Sequence, residues 1–176
     1  MAAGLAVFGR DGYDRATMSA VAAAAGVSRP TLYARFKNKD ALLRAVTQSV
    51  FDSALSEVGV AIASGGPIGE VLCRIMECYY GELYDLVLSL ESSAEVLEAQ
   101  LRLAGDVVEE ARSQLRSQLD QALRADDVTI KRGVTRSQLI ELLMLAPRAF
   151  KEPATTSRQY RRRLRALARV VAHAVS

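Results

Sequence analysis

Tryptophan is absent from this 176-residue sequence, histidine occurs once, cysteine twice and proline four times, and aromatic residues make up only 6%. Each scarcity excludes something. Cys73 and Cys78 stand five apart on an expected helix, point in different directions and have no His or Cys beside them. They read as buried structural thiols, and no metal site is expected. His173, alone near the C-terminus, reads as a surface residue. No Ser/His/Asp set and no carboxylate pair with a partner base can be assembled, and Ser64-Gly65-Gly66 lacks the Lys-Ser/Thr that completes a phosphate loop. The expectation is a protein that is not an enzyme and carries no cofactor. No apolar run reaches the length of a bilayer and nothing at the N-terminus reads as a signal peptide, so a cytosolic protein without a membrane partner is expected.

What is abundant is Ala and Leu. Half the residues are hydrophobic, and with so few prolines an all-α protein is the natural reading. The formal charge is only +3, so its distribution matters more than its sum. Residues 1–46 hold seven cations (Arg10, Arg15, Arg29, Arg35, Lys37, Lys39, Arg44) against three anions (Asp11, Asp14, Asp40), a net of +4. The remaining 130 residues net −1. A basic head on a near-neutral body is the electrostatic footprint of a nucleic-acid-binding module.

The stretch 17–36 organises that head. Thr17 is a good N-cap, and Met18, Val21, Ala22 and Ala25 then recur at helical spacing as one apolar face. Gly26 stands where the first helix must stop, because glycine takes the left-handed conformation at little cost. Ser28 is a second N-cap, and Pro30 fits a first helical turn. Leu32 and Phe36, four apart, share an inward face. Arg29, Thr31, Tyr33 and Arg35 are left on the other sides of the short helix. Cations and hydroxyls on such a surface are what a recognition helix presents to phosphates and guanines in a major groove. From spacing alone a generic helical hairpin remains an alternative.

The string Val21-Ala22, Ala25-Gly26-Val27-Ser28, Thr31-Leu32-Tyr33, Phe36-Lys37-Asn38-Lys39 and Leu42-Leu43 resembles the DNA-binding head of the tetracycline-repressor (TetR) family of transcriptional regulators. Phe8-Gly9-Arg10-Asp11-Gly12-Tyr13 is similar to the end of that family's first helix and its Gly-Tyr turn. In that family the first helix begins well before the Phe, behind a basic arm; this chain starts part-way through it. The resemblance implies a three-helix head with a helix-turn-helix at residues 1–46 and a helical-bundle regulatory body at 47–176. It implies double-stranded operator DNA as partner, contacted through Thr17, Ser28, Arg29, Pro30, Thr31, Tyr33, Arg35, Lys37 and Lys39, with Lys39 clamping a phosphate at the start of a long helix. It also implies a homodimer, a palindromic operator, and release by a small effector. The rival reading is a helical protein–protein interaction module without DNA binding.

Along the body, Leu43, Val46, Val50, Ala54, Val58 and Ile62 form one stripe of about five turns, a helix about 35 Å long that opens at Asn38. Ser64-Gly65-Gly66-Pro67 breaks the chain. Ile68 to Tyr79 reads as an amphipathic helix and Leu86 to Leu90 as a short buried one. A long helix follows, capped by Ser92 or Ser93, with Val96, Leu97, Leu101, Ala104, Val108, Ala111, Leu115, Leu119 and Leu123 inward and Ala125-Asp126-Asp127 as its end. Val128 to Val134 reads as a loop. Thr135 opens another helix with Gln138 completing a capping box, kinked or ended early by Pro147 and closed off by Pro153. Thr156 or Ser157 opens the last.

Met76, Tyr79, Tyr80, Leu101 and Met144 are either plain core or the lining of an effector cavity. The spacing favours core, and the resemblance favours the cavity. Leu139, Leu143, Ala146 and Phe150 on one helix and Leu164, Leu167 and Val171 on the next are the residues expected to bury against a second copy. The arginines at 158, 161, 162, 163 and 165 read as a solvated face that pairs with glutamates of a neighbouring helix rather than as a second nucleic-acid site.

Overall fold

A computed structural model describes residues 1–124, 128–151 and 156–175. The fold is all-helical, in the order α1 (Ala2–Arg15), α2 (Met18–Ala24), α3 (Arg29–Arg35), α4 (Lys39–Ala63), α5 (Ile68–Met76), a π-helical turn (Glu77–Gly81), α6 (Glu82–Ser89), α7 (Ser93–Ala122), α8 (Arg136–Ala149) and α9 (Ser157–His173). Among the described residues there is no β-strand; one isolated bridge joins Ile130 of the 128–134 loop to Val175 just after α9. The expected ends at Ala125-Asp126-Asp127 and Pro153 lie outside the described residues.

The chain makes two compact units that are interleaved in sequence. One comprises Met1–Ser53 and Leu86–Ala111, the other Ala54–Asp85 and Arg112–Ser176. In the first, Val7, Phe8, Tyr13, Met18, Val21, Ala22, Leu32, Leu42, Leu43 and Val46 form a continuous core. Val96 and Ala99 of α7 belong to that same core. The head is therefore closed by a segment some fifty residues further along the chain, beyond any boundary at residue 46.

Three local readings need correction in this unit. Helix α1 does not end at the Gly12-Tyr13 turn but continues to Arg15, with a backbone break at Gly12 (φ 78°). Ala25 is an exposed C-cap instead of part of the inner face, because α2 has already ended at Ala24. Helix α7 is broken at Ala104 (φ −140°, ψ 25°), which shifts the phase of its inward stripe. Before the break Val96 and Ala99 point inward, so Leu97 and Leu101 are exposed, Leu101 by 67%. After it Val108, Ala111, Leu115, Leu119 and Leu123 are buried as the spacing predicts.

In the second unit α5 packs on α9, and α9 also meets α8 and the π turn. Val71, Leu72, Ile75 and Met76 of α5 and Tyr160, Leu164, Leu167, Ala168 and Val171 of α9 are all buried. Tyr160 stacks on Tyr84 at 4.1 Å, and its hydroxyl donates to the Pro147 carbonyl at 3.2 Å. Helix α8 opens with the capping box at Thr135 and Gln138 and runs through Pro147 to Ala149, ending two residues after the proline. The π turn had no counterpart in the sequence reading. Cys73 and Cys78 are half-buried rather than buried, and burial pushes the Cys78 thiol up to about 11.

The stripe expected to face a second copy is filled within one chain. Leu139, Leu143, Leu164, Leu167 and Val171 are each 8% exposed or less, and Ala146 and Phe150 are partly buried. These residues form in-chain core. The outward apolar positions of the two helices are Leu142 and Leu145 on α8 and Val170 on α9, at 42%, 52% and 65% exposure.

Candidate nucleic-acid interface

The hairpin α2–turn–α3 is built from its caps. The Thr17 hydroxyl accepts from the Ala20 N–H at 3.1 Å, which satisfies a first-turn donor and fixes the start of α2. At the other end Gly26 is left-handed (φ 66°). The Gly26 N–H donates to the Ala23 carbonyl at 3.1 Å and the Val27 N–H to the Ala22 carbonyl at 3.0 Å. These paired bonds are the Schellman arrangement, which ends a helix and reverses the chain at once. Ser28 then caps α3, its Oγ accepting from the Thr31 N–H at 3.2 Å and lying 2.8 Å from Thr31 Oγ1. Pro30 sits in the first turn, where a missing N–H costs nothing. Leu32 is buried in the head core with Phe36 packed at its edge, although Phe36 is extended C-cap backbone and not a helical residue.

With Leu32 inward, the other side chains of α3 face out. Arg29, Pro30, Thr31, Tyr33 and Arg35 are exposed, as are Thr17, Ser28 and Lys37 beside them, and Tyr33 is exposed by 52%. Among the described residues no carboxylate pairs with Arg29, Arg35 or Lys37; Arg35 lies 5.6 Å from the Phe36 ring instead. An arginine without a carboxylate partner keeps its five donors and its full charge for an outside anion.

Lys39 is placed differently. Its ammonium donates to the Tyr13 carbonyl at 2.7 Å and the Asp14 carbonyl at 3.1 Å and sits 4.4 Å from the Tyr13 ring. It ties the start of α4 to the end of α1, with one donor left over. Tyr13 is buried and its hydroxyl bonds to Asp40; burial and that bond push the phenol up to about 12. The sequence reading placed Lys39 with the outward cations because charge alone does not show which way a lysine turns.

Arg10 and Arg44, also counted in the basic head, are neutralised. Arg10 pairs with Asp11, and Arg44 forms a two-pronged pair with Asp106 at 2.6 Å on each arm. Arg44 also donates to the Leu103 carbonyl at 2.7 Å.

The expected effector lining is only partly brought together. Met76 and Tyr79 are buried, Tyr80 and Met144 partly so, and the Tyr80 hydroxyl donates to the Met144 carbonyl at 3.4 Å. Leu101 is exposed in the other unit and is not one of this group. Two arginines of α9 meet acidic side chains: Arg161 bridges Glu82 at 2.8 Å and Asp85 at 2.7 Å, and Arg165 reaches Glu77 at 2.6 Å. Among the described residues no cluster of His, Cys, Asp and Glu is arranged to hold a metal, and no helix is long and apolar enough to cross a membrane.

Residues 1–46 match the family model described as bacterial regulatory proteins, tetR family. No curated protein matches the chain at a significant level. Solved structures do. A protein described as a TetR-family transcriptional regulator from Mesorhizobium loti is 19% identical with a TM-score of 0.66, over 99% of this chain and 94% of that one. The fatty acid degradation regulator FadR from Bacillus halodurans is 16% identical with a TM-score of 0.64, over 97% and 91%. FadR from Bacillus subtilis, solved in complex with stearoyl-CoA, is 17% identical with a TM-score of 0.59, over 98% and 93%. The first 46 residues thus match the tetR family of bacterial regulatory proteins, and the chain as a whole has the fold of solved TetR-family transcriptional regulators.

Proposed function

We propose that the chain is a TetR-type transcriptional repressor that acts in the cytoplasm as a homodimer on a palindromic operator and is released by a small effector. The observation that carries this reading is α3. Its outer surface offers Arg29, Thr31, Tyr33 and Arg35 to solvent, with no carboxylate on either guanidinium among the described residues. Arg29 and Arg35 suit guanine edges or phosphates, and Tyr33, Lys37 and the two cap hydroxyls suit phosphates. One such helix reads only a few base pairs, so a second head about 34–36 Å away is needed for useful specificity.

The second copy is assigned to the outward stripe of Leu142, Leu145 and Val170, since apolar side chains exposed on two adjacent helices suit an isologous four-helix contact. For the effector, an apolar metabolite held near Met76, Tyr79, Tyr80 and Met144 is the first class to try. The FadR complex with stearoyl-CoA supports starting with acyl compounds.

The test is selection of duplexes from a random pool, followed by titration with candidate effectors. A palindrome bound by two chains, weakened about 5–150-fold by a compound that operator DNA weakens equally in return, is the expected result. A selected pool without two-fold symmetry, or binding that is indifferent to every sequence, would point to the protein-interaction reading.

A further inference from the structure

The first half of α7, with Ser92 just before it, lies far along the chain from the hairpin, yet it grips both helices that carry it. Four sets of contacts show this, all within the first compact unit.

At the end of α1, Gly12 takes a positive φ, and the Glu95 carboxylate fills the space beside it. A Cβ added to Gly12 would overlap Glu95 Oε2. Glu95 Oε1 accepts from the Asp14 N–H at 2.6 Å, a donor released by the break in the helix. Ser92 adds two bonds, its N–H to the Gly9 carbonyl at 2.9 Å and its hydroxyl to the Arg10 carbonyl at 3.3 Å. On α4, Arg44 holds Asp106 and the Leu103 carbonyl, on either side of the α7 break at Ala104. Gln100 reaches the buried Thr47 hydroxyl at 3.4 Å. Between these anchors Val96 and Ala99 complete the head core, and Arg102 lies 5.8 Å from the Tyr13 ring.

We propose that residues 92–106 are a brace for DNA reading, with Glu95 and Asp106 as positioning residues that act through α1 and α4 without facing DNA. This rests on the DNA-binding reading above. The physical logic is local. The chain has only Ala16 between the end of α1 at Arg15 and the Thr17 cap of α2, so the angle at Gly12 sets where α2 begins. Glu95 fixes that angle by occupying one side of Gly12 and bonding the next free N–H. Arg44 does the equivalent for α4, four residues below the Asp40 bond to Tyr13. A recognition helix displaced by about 1 Å still meets phosphates but misses the paired base-edge contacts that confer specificity.

The experiment compares Glu95→Ala, Glu95→Gln and Asp106→Asn with the wild type, each bound to its selected duplex and to unrelated duplex. Amide exchange is followed in parallel on the free protein. Glu95→Ala is expected to lose about 3–30-fold on the selected duplex and little on unrelated DNA. Glu95→Gln, which keeps an acceptor for the Asp14 N–H, should recover most of the loss. Asp106 is exposed, so Asp106→Asn keeps the fold and should show a smaller loss in the same direction. Amides of residues 14–20 should exchange faster in Glu95→Ala.

Equal losses on both duplexes would mean that the head is destabilised as a whole, since removing an anion can only strengthen phosphate binding, and would overturn the brace. So would unchanged binding in all three variants, or unchanged exchange at 14–20. A wild type that binds no duplex while exchange at 14–20 still responds to Glu95→Ala would sink the DNA reading and leave the clasp itself standing as structure.

Discussion

Helices α3 and α9 are both arginine-rich, and they use arginine differently. Helix α9 carries the denser run, with arginines at 158, 161, 162, 163, 165 and 169, yet Arg161 and Arg165 are matched by Glu82, Asp85 and Glu77. The guanidinium groups of α3 meet no carboxylate among the described residues. A count of basic residues would rank α9 first as a nucleic-acid surface. Arg158 and Arg162 of α9 are also exposed, but what distinguishes a surface built for an outside anion is a face on which no cation is compensated and hydroxyls stand beside the cations, and only α3 has that.

If α9 is a structural helix, its substitutions should cost folding and leave DNA binding alone, and α3 should show the reverse. The largest effect is expected for Leu167→Glu. It puts a charge into in-chain core and should cost about 3 kcal/mol or more, seen as unfolding or insolubility of the whole chain. A folded, soluble monomer from that variant would return Leu167 to a between-chain surface. Next comes Arg161→Ala. The Arg161 side chain is 21% exposed, and its loss strips Glu82 and Asp85 of their shared cation. A drop of about 1–3 kcal/mol in denaturant stability is expected, with affinity for the selected duplex per folded chain unchanged. Arg29→Ala inverts this pattern. Stability should stay within about 0.5 kcal/mol, while the selected duplex loses about 1–3 kcal/mol and sequence preference relaxes.

Leu145→Glu sharpens the comparison between the two faces of the α8–α9 pair. It should leave the fold intact and yield monomer by sedimentation, since Leu145 is exposed in the single chain. The smallest effect concerns Arg44 and Asp106, an exposed pair on the head. The Arg44 hydrogen bond holds the Asp106 carboxyl down at about 2, below its ordinary value of about 3.9. The stabilisation is therefore complete above about pH 4 and is lost as pH falls through about 2. Acid unfolding of the wild type and Asp106→Asn should differ slightly above pH ~4 and converge near pH ~2.

How far the fold was legible depended on how local the signal was. The hairpin could be read residue by residue because Thr17, Gly26 and Ser28 act on their own backbone neighbours, and each lies where its cap was expected. The capping box at Thr135 was legible for the same reason. The outward surface of α8 was not. Leu139 and Leu143 make one helical stripe and Leu142 and Leu145 another, and periodicity cannot say which is covered by the same chain and which by a second copy. The break at Ala104 carries no proline, and a single neighbouring glycine is too weak a signal to place it. Once the break was missed, Leu97 and Leu101 inherited the wrong phase. The grip of Glu95 on Gly12 spans more than eighty residues of sequence, and no local pattern reports it.

The most direct test of the central contrast is charge-matched. Arg29 and Arg35 are changed together to Ala, and in a second variant Arg158 and Arg162 of α9, also exposed, are changed together to Ala. Both variants lose two positive charges. The logarithm of the association constant for operator DNA is then followed against the logarithm of salt concentration. The account predicts that the first variant shallows the slope by about one to two units and the second leaves it unchanged. Equal slopes for the two variants, or a loss of slope only when α9 is altered, would contradict it.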